Sequence, residues 1–215
     1  MNKIFIIGLP RTGTTSICAA MLELGFHVAH TAYTDRSFTD AQVIADTPIF
    51  CDYQYLDKAY PNAKFIYLGR AMDKWLPSIE KLLARMHTNL IRDDGGFNPI
   101  IKRCYQTIFT PYKLDNIKDF EFLALCYQQH QSQVYQYFQG REDDFLSIDI
   151  SDSQSYKHLL SFLALTGDIN AHKAASLGFE KLNVGGKITA WKDIKNTLKV
   201  NSTNKGRVTK LPYLT

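Results

Sequence analysis

The sequence predicts an α/β fold with three layers: a central, mostly parallel sheet covered by helices on both sides. Three observations carry this. Short apolar runs such as KIFIIG (3–8) and KFIYLG (64–69) read as buried parallel strands. Stretches with helical apolar spacing stand between them. Strands that alternate with helices are joined in the way a parallel sheet requires. The 215 residues suffice for one domain, 1–215, with a proper core. Contents of 45% hydrophobic and 13% aromatic residues place the chain among globular proteins, not disordered ones.

The elements follow in order. After the strand at 3–8, TTSICAAMLEL (14–24) has the apolar spacing of a helix, with Gly25 as its stop. HVAH (27–30) reads as a second short strand, and SFTDAQVIA (37–45) as a helix with Ser37 or Thr39 as its N-cap. Pro48 opens a helical stretch through Tyr60, which Pro61 ends. The strand at 64–69 leads into a helix from about Asp73 to Met86. Residues 87–140 read as mostly helical, broken by DDGGFNP and TPYK. DFLSIDI (144–150) is a late strand, and SYKHLLSFLAL (155–165) is the helix behind it. No repeat, low-complexity segment or linker divides the chain.

Composition narrows the function classes. Cys18, Cys51, Cys104 and Cys126 lie far apart without a C-x-x-C pair, so they read as thiols of a reducing compartment, not as a disulfide or zinc frame. The N-terminal run IFII is too short for a signal-peptide core or a membrane span, so a cytoplasmic location is expected. From Lys181 to Thr215 eight Lys or Arg stand against one Asp, so the tail carries +7 of a net +4 and the first 180 residues carry −3. These cations are spread out, which fits a solvated face or a multiply charged small ligand better than nucleic acid or a membrane surface.

The chemistry concentrates at GLPRTGTTS (8–16), where a strand passes through a Gly-rich turn into a helix. This has the outline of the phosphate loop G-x-x-x-x-G-K-[ST], with Thr14 in the lysine position and Arg11 three residues earlier. Gly8 and Gly13 let the chain turn tightly and aim backbone N–H groups at an anion, and the helix start adds partial positive charge. Thr14 and Thr15 supply hydroxyls, and Arg11 supplies the cation. A magnesium-bound triphosphate needs the missing lysine and an acid at a strand end, whereas KFIYLGR ends in Gly69-Arg70. The loop suits phosphate without a metal, and the six histidines show no metal-ligand spacing.

These residues resemble the 5′-phosphosulfate-binding loop of the sulfotransferase superfamily, whose donor is 3′-phosphoadenosine 5′-phosphosulfate (PAPS). The family's P-[KR]-[ST]-G-[ST]-[ST] is matched by Pro10, Arg11, Thr12, Gly13, Thr14 and Thr15. Its second signature is a strand ending in Arg with Ser eight residues on, both holding the donor's 3′-phosphate. FIYLGRAMDKWLPS supplies Arg70 and Ser78 at that spacing. The resemblance implies a P-loop-type fold with a helical acceptor-site insert, and residues 87–140, which match none of the family's motifs, are expected to line the acceptor pocket. It also implies a C-terminal segment that closes the nucleotide site with a basic-Gly motif. NKGRV offers Lys205, Gly206 and Arg207 for this, and GGKITAWK offers Lys187, Trp191 and Lys192, in an altered order. Trp191 reads equally as an adenine stacking partner or as a core residue. The outline covers most of the chain, and the specific motifs occupy residues 5–16 and 64–78.

The activity so implied is transfer of a sulfuryl group to a hydroxyl or amine of a small-molecule or glycan acceptor. It leaves adenosine 3′,5′-bisphosphate, and neither a metal nor nucleic acid is expected to take part. Arg11 would stabilise the departing oxygen. Asp46 in ADTP lies 24 residues before Arg70, ahead of a proline-containing helix where cytosolic members carry a histidine base. It reads either as the general base or as a cap on the helix at Thr47-Pro48. His27 and His30, placed near the carboxyl end of the second strand, are its rivals. A small-molecule kinase or a noncatalytic nucleotide-binding module would share the fold.

Overall fold

Alternation along β1 (Ile4–Ile6) sends Phe5 to one side of the sheet and Ile4 and Ile6 to the other, and all three are buried. β4 (Lys64–Gly69) repeats the split, with Phe65 and Tyr67 beside Phe5, and Ile66 and Leu68 beside Ile4 and Ile6. Two apolar faces are why these strands read as unbroken apolar runs. In the computed structural model, residues 2–165, 179, 190–203, 208 and 211–213 are described. Three further strands complete the sheet: β2 (Val28–His30), β3 (Val43–Ala45) and β5 (Phe145–Asp149). All pairings are parallel, in the order β2-β3-β1-β4-β5.

One face is covered by α1 (Thr14–Glu23), whose Ile17, Cys18, Met21 and Leu22 pack against Ile4 and Ile6. The other is covered first by α2 (Asp35–Asp40), α3 (Ile49–Ala59) and α4 (Met72–Ile91). α5 (Pro99–Ile108) and α6 (Phe120–Tyr137) extend that layer, and α7 (Ser155–Phe162) returns to the α1 side through Leu159.

The architecture is the three-layer α/β fold that the sequence predicts, with one correction in its first half. The expected helix over SFTDAQVIA is instead the six-residue α2 followed by the strand β3. Val43, Ile44 and Ala45 are wholly buried between β1 and β2, and three residues are too few to show a strand's period. α4 also runs five residues past Met86, because Leu90 continues its buried stripe of Trp75, Ile79, Leu83 and Met86.

β1 lies at the switch point of the sheet, with β3 on one side and β4 on the other. Ligands of such sheets bind at the carboxyl ends of the strands beside that point. Those ends carry the loop at 7–13, Asp46 after β3 and Arg70 after β4. The C-terminal segment runs along the β2 edge: Val28 N–H donates to Leu198 O at 3.0 Å, and Val200 N–H donates to Val28 O at 2.9 Å. Leu211 and Tyr213 then enter the core beside Phe38. No helix among the described residues is long and apolar enough to cross a membrane.

Candidate anion-binding and transfer site

The loop after β1 is shaped by its own residues. Gly13 has φ 106, in the left-handed region, and a Cβ there would lie 2.2 Å from Ile150 Cδ1. Thr12 is buried and donates its hydroxyl to Leu9 O at 2.7 Å, so it braces the loop from within. The wholly buried Trp75 of α4 donates Nε1–H to Pro10 O at 3.0 Å. With the turn held this way, the amides of Gly13, Thr14 and Thr15 have no acceptor among the described residues. These are the free N–H groups of a helix start, in the arrangement that binds anions.

Arginines gather around those amides. Arg11, itself at φ 74, donates Nε–H to Ser78 Oγ at 2.8 Å, which joins the two sequence signatures. Arg70 donates from Nη1 to Arg11 O at 2.5 Å. The Arg70 amide donates to Tyr127 Oη at 2.9 Å, and Tyr127 O–H donates back to Arg70 O at 3.3 Å. Arg85 completes the group. Residues 78, 82 and 85 follow the i, i+4, i+7 spacing of one helical face, and Leu82 and Arg85 both line the same cavity as Arg11 and Arg70. Burial, and then the positive charges of Arg70 and Arg85, lower the pKa of Arg11 from its ordinary value. No carboxylate pairs with any of these three arginines among the described residues. Three unpaired cations in one pocket call for a polyanionic ligand.

The cavity measures about 490 Å³ and brings together most of the residues expected from the sequence: Pro10, Arg11, Gly13, Thr14, Thr15, His30, Asp46, Arg70 and Trp191. Ser78 borders it through its bond to Arg11, and Thr12 supports it from beneath. Asp46, at φ 67, does two things. Its Oδ1 accepts the Thr47 amide at 2.8 Å, and its Oδ2 lies 3.6 Å from His30 Nε2. His30 Nε2 in turn lies 3.2 Å from Thr14 Oγ1 and 3.3 Å from Thr15 Oγ1. Burial lowers the pKa of His30, against the opposing pull of Asp46, so the imidazole is neutral at pH 7.

His27 is a correction. It precedes β2 at the strand's amino end, is exposed, and is bound to Gln42, so it stands away from the cavity. Trp191 takes neither expected form alone. It lines the cavity while stacked on His30 at 5.4 Å, and Lys199 Nζ lies 4.6 Å from the centre of its ring. Lys192 belongs to the described residues but not to the cavity lining, and Lys187, Lys205, Gly206 and Arg207 lie outside the described residues. Sequence reasoning missed Trp75, Arg85, Tyr105 and Tyr127. Of these, Arg85 alone had a signal, its helical spacing from Ser78.

Among the described residues no group of His, Cys, Asp or Glu is placed to hold a metal ion. Residues 3–36 and 30–166 match the family model described as a sulfotransferase domain. A comparison with curated proteins finds no match.

Proposed function

The chain belongs to the sulfotransferase domain family, and on that footing we propose that it transfers a sulfuryl group from PAPS to a hydroxyl or amine of a small-molecule or glycan acceptor. The observation that carries this reading is the cluster of Arg11, Arg70 and Arg85 around unbonded loop amides, with Thr14 where a kinase needs lysine. The donor set fits a ligand with several separate anionic groups. When bound, PAPS supplies an activated sulfuryl group and a leaving bisphosphate.

Each residue then has a task. Arg70 and Ser78 hold the 3′-phosphate, Arg70 by a forked guanidinium and Ser78 by its hydroxyl. Arg11, the amides of Gly13 to Thr15 and the hydroxyls of Thr14 and Thr15 face the 5′ side and stabilise negative charge as it grows there. Asp46 accepts the acceptor's proton at Oδ2, the oxygen that its bond to Thr47 leaves available. Leu82, Arg85 and Tyr105 form the remaining wall, against which the acceptor is held. The tail residues Lys205, Gly206 and Arg207 are assigned to the 3′-phosphate by the family's pattern.

Calorimetry tests the reading directly. Adenosine 3′,5′-bisphosphate with EDTA should bind much more tightly than ATP with magnesium. Equal or tighter binding of ATP-magnesium would replace this reading with a kinase. Bisphosphate binding without donor turnover, across a panel of phenol, sugar and amine acceptors, would favour a noncatalytic module.

A further inference from the structure

Away from the anion-binding loop, α3 packs against α5. The ring of Phe50 on α3 stands edge-on to Tyr105 on α5 at 6.1 Å. Asp52 receives a bidentate ion pair from Arg103, with Nη1 at 2.7 Å from Oδ1 and Nη2 at 2.6 Å from Oδ2. These contacts bring residues 50 and 52 to residues 105 and 103, and positions 51 and 104 stand between them in the sequence of each helix. Both are cysteine. Cys104 is buried in the core cluster against which Cys51 packs, each thiol is the first influence on the pKa of the other, and Arg103 Nη1 lies 3.8 Å from Cys51 Sγ. An aromatic contact on one side and a half-buried ion pair on the other flank the two cysteines.

We infer that Cys51 and Cys104 form a reversible redox modification site, closing to a disulfide between α3 and α5 when the protein meets a hydroperoxide. Cys51 is the attacking sulfur. The neighbouring Cys104 is the first cause that lowers its pKa, and Arg103 adds to the effect. Cys51, and then burial, push the Cys104 thiol up. Cys51 is partly exposed to a small peroxide, and Arg103, whose Nη1 lies 3.8 Å from its sulfur, also lines an open surface depression with Lys102 and Gln106.

The chemistry balances. The Cys51 thiolate attacks one oxygen of the peroxide O–O bond, which breaks to give a sulfenic acid and, after protonation, water or an alcohol. The Cys104 sulfur then attacks the sulfenic sulfur. An S–S bond forms, the S–O bond breaks, and hydroxide leaves with the Cys104 proton as water. The two sulfurs together lose two electrons and the peroxide gains them, and an external thiol reverses the change. Tyr105, next to Cys104, lines the cavity, so the modification fixes part of its wall. The other two thiols are poor competitors. Cys18 is wholly buried with its pKa pushed well up, and burial pushes Cys126 up to about 11.

Peptide mapping of the intact chain tests this without reference to sulfuryl transfer. The reduced protein is treated with a small molar excess of hydrogen peroxide, alkylated, and digested without reductant. The expected product is one dominant cross-linked peptide pair joining Cys51 to Cys104, lighter by two hydrogen atoms than the separate peptides and restored by dithiothreitol. In Cys104→Ser, a sulfenic acid at Cys51 should be trapped by dimedone. Cys51→Ser should leave Cys104 unoxidised at the same dose. Accumulation of sulfinic acid at Cys51 in the wild-type chain without the cross-link would overturn the inference. So would oxidation that favours Cys18 or Cys126, or no oxidation at all.

Discussion

Arg11 belongs to both halves of the anion site, because its Nε donates to Ser78 and its carbonyl accepts from Arg70. The consequences of removing either arginine nevertheless differ. Charge on the 5′ side grows during transfer, whereas the 3′-phosphate carries the same charge throughout. Arg11→Ala should therefore lower turnover by on the order of a hundredfold, the usual cost of losing a donor that serves the transition state. Arg70→Ala should weaken adenosine 3′,5′-bisphosphate by roughly ten- to a hundredfold in a calorimetric titration, the range for a charge-assisted hydrogen bond. Unchanged affinity in Arg70→Ala would remove it from the 3′-phosphate. Asp46 poses a second question at this scale: it does not cap α3, whose N-cap is Pro48, since its Oδ1 accepts the adjacent Thr47 amide while Oδ2 faces the cavity side at His30. Asn can still accept the Thr47 amide and tolerates the left-handed backbone at φ 67, yet it cannot take a proton. Asp46→Asn should cost roughly a hundredfold or more in turnover with little change in melting temperature. Asp46→Ala, which loses the bonds from Thr47 and places Ala at φ 67, should also lose about 1 kcal/mol of stability. A fully active Asp46→Asn protein would transfer the role to His30, since His27 stands outside the site.

At the scale of elements, the loop and α1 act as one unit whose geometry depends on Gly13. A methyl group there meets Ile150 Cδ1 and must also hold φ 106, which an L side chain resists. Gly13→Ala should lower thermal stability by an amount on the order of 1–3 kcal/mol and weaken bisphosphate binding at the same time. A variant that keeps full affinity would show that the loop amides do not define the site. The local character of this unit also explains what could be read in advance. β1, the loop and α1 are contiguous, as are β4, Arg70 and Ser78, so spacing alone reveals them. β3 escaped because a three-residue buried strand has no visible period. The bonds from Trp75 to Pro10 and from Arg70 to Tyr127 join residues 65 and 57 positions apart, and no local pattern encodes such partners. The left-handed backbone of Arg11 likewise follows from what surrounds it, not from a residue type that favours it.

Across the whole molecule, the α3 and α6 layers are joined through His130, and this joint makes stability depend on pH. His130 is 3% exposed, donates Nε2–H to Phe50 O at 2.8 Å, and packs edge-on to Tyr53 and stacked on Tyr67. With the proton on Nε2, Nδ1 is left buried without a partner. Protonation there would place an unpaired charge in the core, and burial accordingly lowers the His130 pKa from 6.5 to about 4. The folded state then binds fewer protons than the unfolded chain between those two values. Stability is therefore fully present above pH 6.5 and falls as pH drops toward 4, by on the order of 3 kcal/mol for this group. His30, also lowered by burial, acts in the same direction. Asp57, whose carboxyl is held below 3.8 chiefly by its hydrogen bond from Arg141, contributes its loss at lower pH still. His130→Gln offers an amide N–H to Phe50 O but does not titrate in this range. Urea unfolding at pH 7 and pH 4.5 should show the wild-type chain losing most of this increment and His130→Gln losing much less, with the remainder assigned to His30. An equal loss in both proteins would mean that the imidazole of His130 finds a partner for its second proton, and that α6 is held to α3 by a charge the fold can accommodate.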